Sequence, residues 1–311
     1  SAILSITDWP WLFAINIPIG IAALTLSYKF LPTNPTRREH RKFDIIGGIM
    51  NACFFFLLIG LIEGASHELS GHVLLVGLGL LIVVGTIFVR RELHREFPLL
   101  PIDLLRIPIF SMSVSTSVFS FMAQMLAMVS LPFFLQGELG KDEVTCGLLM
   151  TPWPLATMIC APLAGILAER VNAGLLGGIG LTIFASGLFL LSMLDSNATA
   201  GDIVWRMALC GGGFGLFQTP NNSTIIASAP RNRSGGASGM LGTARLLGQT
   251  SGAALAALLF RLIPGGHNTH NSLLVGCAIA IVAAMVSLTR LGRQTGPKLD
   301  RLAQQQANTP K

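Results

Sequence analysis

The chain has 311 residues, of which 51% are hydrophobic and only 12% charged, with a formal net charge of +6. A water-soluble domain carries about twice that charged fraction, so this composition excludes an ordinary soluble globule. Basic residues spread over short connecting segments, rather than over one continuous face, also exclude a nucleic-acid-binding surface. The apolar residues stand in long uncharged blocks such as Val73–Val89, Leu175–Leu194 and Leu273–Thr289. A helix needs about 20 mostly apolar residues to cross roughly 30 Å of hydrocarbon. The sequence therefore predicts an all-α membrane protein with about nine transmembrane helices, near residues 11–30, 44–63, 72–89, 109–136, 145–168, 174–194, 203–228, 235–262 and 272–290.

In chain order, the first span is followed by a basic linker, Pro32–Phe43, and then by a hairpin of two spans. The segment Phe97–Phe110 (FPLLPIDLLRIPIF) is too rich in proline for a regular helix and suits a membrane interface. Six further spans follow, and the polar tail Gln294–Lys311 has the composition of a disordered segment. Four of the five cysteines (Cys53, Cys160, Cys210, Cys277) sit inside apolar runs, without disulfide or zinc spacing, which points to packing.

Loop charge tests this count. One alternating set of connections holds 17 of the 21 lysines and arginines, including Arg37, Arg38, Arg90, Arg91, Arg170, Arg231, Arg233, Arg290 and Lys311, whereas the opposite set holds Lys141 alone. Short loops rich in Lys and Arg remain on the cytoplasmic side. The expected topology is thus an odd number of spans, with Ser1 outside and the C-terminus cytoplasmic. An outer N-terminus without a signal sequence is what a chain lacking its earlier spans would show.

Several stretches resemble the major facilitator superfamily, in particular its fourteen-span drug:proton antiporter group. Trp9-Pro-Trp-Leu-Phe-Ala-Ile-Asn-Ile-Pro-Ile-Gly20 is similar to that group's sixth-span signature, with Pro10 where Arg is often found. Phe43-Asp44-Ile-Ile-Gly47 resembles the opening of the next helix. Gly165-Ile-Leu-Ala-Glu169-Arg170 looks like a degenerate copy of the cytoplasmic-loop motif, lacking its trailing basic residues. Gly211–Asn222 and Ser234–Gln249 are similar to the group's paired twelfth and thirteenth spans, most of all in the methyl viologen resistance exporters.

The resemblance implies a fragment of the major facilitator fold. Residues 1–31 would be the last span of an N-terminal bundle and 32–96 the basic linker plus two-helix insert. Residues 97–292 would form the six-helix C-terminal bundle and 293–311 a disordered cytoplasmic tail. The implied function is export of lipophilic or quaternary cationic drugs by proton antiport with alternating access, in the bacterial inner membrane. The proton gradient would be the energy source, with no cofactor. Expected partners are small lipophilic cations, protons and membrane lipid, with no nucleic acid and a monomer as the working unit at full length. The alternatives are export of another amphipathic metabolite or anion, or a non-transporting truncated product. No cluster of histidines or of serine with histidine falls within a span, which argues against an intramembrane enzyme.

Polar groups inside a bilayer are costly, so each marks a candidate site. Arg245 falls about 16 Å into its span at 1.5 Å per residue, with Gln249 one turn further on the same face. The pair either lines a central cavity or locks the bundle through carbonyl or carboxylate contacts. A fixed cation repels a cationic drug, so Arg245 would act on such a substrate through a partner. Gln124, Gln218, Asn221 and Asn222 either line the pocket or hydrogen-bond between helices. Trp153, with Phe119, Phe121, Met122, Met125 and Met128, is a candidate for a polarizable wall, against simple packing. Coupling or gating candidates are Glu63, Asp44, Glu169 and Arg170, with the principal coupling acid expected in the absent part. The rows Gly235-x-x-x-Gly239 and Gly248-x-x-x-Gly252-x-x-x-Ala256 predict close helix contacts.

Overall fold

The computed structural model describes residues 14, 16–30, 44–66, 70–94, 101–195, 197–230, 233–262 and 268–291. Among these, all regular structure is helical: α1 (Asn16–Phe30), α2 (Ile45–Ser66), α3 (Gly71–Leu93), α4 (Pro108–Phe133), α5 (Glu143–Met150), α6 (Pro152–Ala168), α7 (Ala173–Ser192), α8 (Ala200–Ser228), α9 (Ser234–Leu262) and α10 (Asn268–Thr289). Hydrocarbon offers no hydrogen-bond partners, and a helix satisfies its own backbone. The helices α5 and α6 join at Thr151 into one apolar stretch, Glu143–Ala168, so the described helices make nine passes at the predicted places.

Five of these passes (α3, α4, α5 with α6, α7 and α10) are long and apolar enough by composition to cross a membrane. The longest helices, α8 and α9, have 29 residues each, about 43 Å at 1.5 Å per residue. Glycine and polar side chains dilute their hydropathy, and many of these are turned inward onto other helices.

Local chemistry sets the helix ends. Pro108 opens α4, where its missing N–H costs nothing. After a wide turn over Phe134–Glu138, the chain reverses at Gly140, whose φ of 60° suits glycine. Asp142 then caps α5, accepting from the Thr145 backbone N–H (3.2 Å) and hydroxyl (2.5 Å). Those bonds hold its carboxyl below the usual value. Asn172 caps α7 through the Gly174 N–H at 2.8 Å, and Thr199 with Asp202 forms a reciprocal capping box on α8.

The six passes from α4 onward form one bundle, packed chiefly through α7 on α8, α6 on α8, α10 on α7, and both α9 and α10 on α4. Missing side chains permit this closeness. A β-carbon on Gly211 would lie 2.1 Å from the Trp153 carbonyl oxygen, and one on Gly213 2.5 Å from the Phe184 nitrogen. The predicted row on α9 is a real seam: β-carbons on Gly248 and Gly252 would meet the carbonyls of Val118 and Met122 at 2.5 and 2.4 Å. The other row is not. Gly235 and Gly239 have nothing within 4 Å of a β-carbon, because that face of α9 points away from α4.

The helices α2 and α3 pair as a hairpin, and α2 also touches α9. The described residues of α1 from Asn16 onward are all exposed. Large apolar side chains such as Leu24, Phe56 and Val76 face outward, as helices in lipid require.

Candidate functional site

A cavity of about 640 Å³ opens among four passes of the bundle. From α4 come Phe121, Gln124, Met125 and Met128, spaced i, i+3, i+4 and i+7 along one helical face. From α5 and α6 come Gly147, Met150, Thr151, Trp153, Pro154, Thr157 and Met158; α8 gives Phe214 and Gln218, and α9 gives Arg245 and Gln249. The remaining passes, α7 and α10, stand behind this wall and build the core that supports it, through Phe184, Leu188, Cys277 and Ala280.

Five predicted cavity residues thus share one wall: Gln124, Trp153, Gln218, Arg245 and Gln249. Arg245 is exposed to the cavity, and its guanidinium lies 5.6 Å from the centre of the Phe121 ring. Among the described residues it forms no ion pair, and none of those lining the cavity is acidic. Trp153 is 1% exposed and packs edge-on against Phe184 at 5.6 Å. Its indole N–H has no hydrogen-bond partner among the described residues. The Thr157 hydroxyl bridges Trp153 (3.0 Å) and Gly211 (2.9 Å) by their carbonyls, tying α6 to α8 beneath the wall.

Asn221 and Asn222 are not in the wall. Asn221 is fully buried; its amide N–H group donates to the Ser113 carbonyl (3.2 Å) and the Ser117 hydroxyl (2.8 Å). Its carbonyl accepts from Arg290 at 2.7 Å. Three residues past Gln218, its side chain is turned off the cavity toward α4 and Arg290 at the end of α10. Asn222 shares Gln218's face but lies a turn closer to the basic end, partly buried. Of the proposed aromatic and methionine wall, Phe121, Met125 and Met128 face the cavity, whereas Met122 does not and Phe119 packs on the core.

Among the coupling candidates, Asp44 caps α2 through the Gly47 N–H (3.0 Å) and grips Arg91 of α3 with both oxygens at 2.9 Å. That double bond fastens the hairpin at its basic end. Glu169 and Arg170 are exposed at the end of α6. Glu63 lies on α2, but its side chain falls outside the described residues, as do Phe97–Leu100, half of the N-terminal motif and the C-terminal tail.

Two features escaped the sequence reading. Arg233, counted there only as a topology signal, pairs with Asp103 through both guanidinium nitrogens, joining the start of α9 to the turn before α4. Arg290, taken for a loop charge, is wholly buried. It donates to Ser113 Oγ (2.7 Å), Asn221 Oδ1 (2.7 Å) and Ser287 Oγ (2.5 Å), while the Ser287 hydroxyl donates to the Gly174 carbonyl at 3.0 Å. The hint in the sequence is polar residues at matching depths on three spans: Ser113, Asn221 and Ser287.

Comparison with known proteins gives this architecture its family. The sequence profile of the Major Facilitator Superfamily matches residues 1–253 and, in a second placement, 113–307. The chain belongs to the Major Facilitator Superfamily. Among curated relatives, it is 57% identical over 291 residues to the uncharacterized transporter YebQ of Escherichia coli, covering 94% of this chain and 64% of that protein. It is 29% identical to the riboflavin transporter RibZ of Clostridioides difficile (81% and 54% of the two chains). It is 27% identical to the multidrug efflux pump LfrA of Mycolicibacterium smegmatis (83% and 51%). The chain spans between about half and two-thirds of the length of these relatives. As a facilitator-superfamily chain with long apolar helices, it is an integral membrane protein.

Proposed function

We propose that this polypeptide belongs to the fourteen-span drug:proton antiporters and exports flat amphipathic compounds, lipophilic drugs among them, by alternating access. The site of action is the bacterial inner membrane, with the C-terminus in the cytoplasm and the proton gradient as energy source. The observation that carries this reading is the cavity wall. Its volume of about 640 Å³ lies in the range of drug-sized pockets, roughly 300–1,000 Å³. Phe121, Trp153 and Phe214, with four methionines, supply polarizable apolar surface that adapts to different ring systems, and three glutamines supply hydrogen bonds without charge. Among the relatives, one named a riboflavin transporter agrees with a flat ring system as cargo, and one named a multidrug efflux pump agrees with export of drugs.

Two readings differ in the charge of the substrate. The motifs resemble exporters of quaternary cations, but Arg245 in the wall favours the alternative, an amphipathic metabolite or anion. No acid lines the described wall, so the carboxylate that exchanges the proton is contributed from elsewhere in the transporter.

Accumulation assays test the transport claim. Cells stripped of other pumps and expressing the full-length protein are expected to hold less ethidium, or less of an anionic anthraquinone dye, than control cells. A protonophore should erase the difference. Equal accumulation of both dyes, with the protein demonstrably in the membrane, overturns the reading.

A further inference from the structure

Beside three neutral glutamine amides, which can both donate and accept, the cavity wall holds one charged group and one buried polar atom without a partner among the described residues, and both are hydrogen-bond donors. Arg245 is the one charged side chain among the lining residues, and it has no carboxylate within reach among the described residues. The Phe121 ring, 5.6 Å from the guanidinium carbon, is its recorded partner. An aromatic contact of that kind engages the cationic group through its charge and leaves the N–H edge able to donate. Trp153 supplies the second donor. Its indole N–H is buried, has no acceptor among the described residues, and belongs to a residue that lines the cavity. A buried donor left unsatisfied carries the full cost of desolvation, and that cost is recovered when a ligand brings an acceptor.

We infer that the substrate is a planar aromatic compound bearing an anionic oxygen group, such as a carboxylate, phenolate or sulfonate, which Arg245 and the Trp153 N–H bind while methionine and phenylalanine side chains cover the rings. Charge-assisted bonds from a guanidinium to an oxyanion are about twice as strong as neutral ones and directional, so this pair sets selectivity as well as affinity. A quaternary cation meets the opposite situation: it has no hydrogen to donate, finds no acid among the described lining residues, and is repelled by Arg245. The inference rests on the cavity being the transport site, and it narrows the cargo to one charge class.

Binding to the purified full-length transporter in lipid nanodiscs tests it separately from transport. The probes are anthracene-9-carboxylate and (anthracen-9-ylmethyl)trimethylammonium, which share one fluorescent ring system and differ in charge. The carboxylate is expected to bind at least about tenfold more tightly, as one charged hydrogen bond would give. Arg245→Gln should bring the ratio of the two affinities close to one, Arg245→Lys should restore most of it, and Trp153→Phe should lower it several-fold. Tighter binding of the ammonium, no binding of the carboxylate, or an equal loss of both probes in Arg245→Gln overturns the inference. Ethidium efflux in cells alongside any of those results would leave the transport reading standing and reject only the anionic class.

Discussion

Arg290 shows how a charge can be held inside a bundle by neutral groups alone. Its guanidinium is wholly buried and is met by two serine hydroxyls, a serine carbonyl and an asparagine carbonyl. Those partners lie on α4, α8 and α10, and the Ser287 hydroxyl extends the net to α7. An arginine stays charged in any protein environment, so the serines and Asn221 replace the water it gave up. Arg290→Met should therefore destabilise the bundle by about 3 kcal/mol or more, since several buried acceptors lose their donor at about 1–3 kcal/mol each. Arg290→Lys should lose less, because a lysine keeps some of the bonds. Thermal or SDS-induced unfolding of the purified protein measures both. Asn221 looked like a cavity residue from sequence because depth in a span was the only visible coordinate. Depth is legible in a sequence, but the direction of a side chain around a helix depends on which neighbours the bundle places there.

The element scale gives a sharper case of the same limit. Two rows of small residues on α9 have equal spacing, and spacing alone predicts close packing for both. Only Gly248 and Gly252 meet a partner, the backbone of α4, while Gly235 and Gly239 face open space. Gly248→Ala and Gly252→Ala should each cost about 1–3 kcal/mol through overpacking, because the obstructing atoms are backbone carbonyls that cannot rotate aside. Gly235→Ala and Gly239→Ala should leave unfolding midpoints unchanged within error. Equal effects at both rows in the same unfolding assay would contradict the packing described. The helices themselves were plain in the sequence, since uncharged blocks of membrane length admit little else. The paired arrangement of α4 with α9, which forms two sides of the cavity, was not.

At the scale of the whole molecule, the strongest signal in the sequence is the division of charge between two ends. Three structural features at one end agree with it. Asp44 with Arg91 closes the hairpin, Asp103 with Arg233 joins α4 to α9, and the Arg290 net binds α4, α7, α8 and α10. Each joins elements on the side that carries the basic loops. At the opposite end Asp142 and Thr199 cap their own helices, and Thr269 and His270 at the start of α10 bond to the carbonyls of Ser130 and Ser192. Positive loops resist translocation, so the basic end should be cytoplasmic and the loop at Lys141 external. Single cysteines at Lys141→Cys and Glu169→Cys, added to intact cells with a membrane-impermeant maleimide, report the two sides. The native thiols all lie within helices and serve as the unlabelled background. Lys141→Cys should label at once, and Glu169→Cys only after the membrane is opened. The reverse pattern would place the basic end outside and would also turn the direction of export proposed for the cavity.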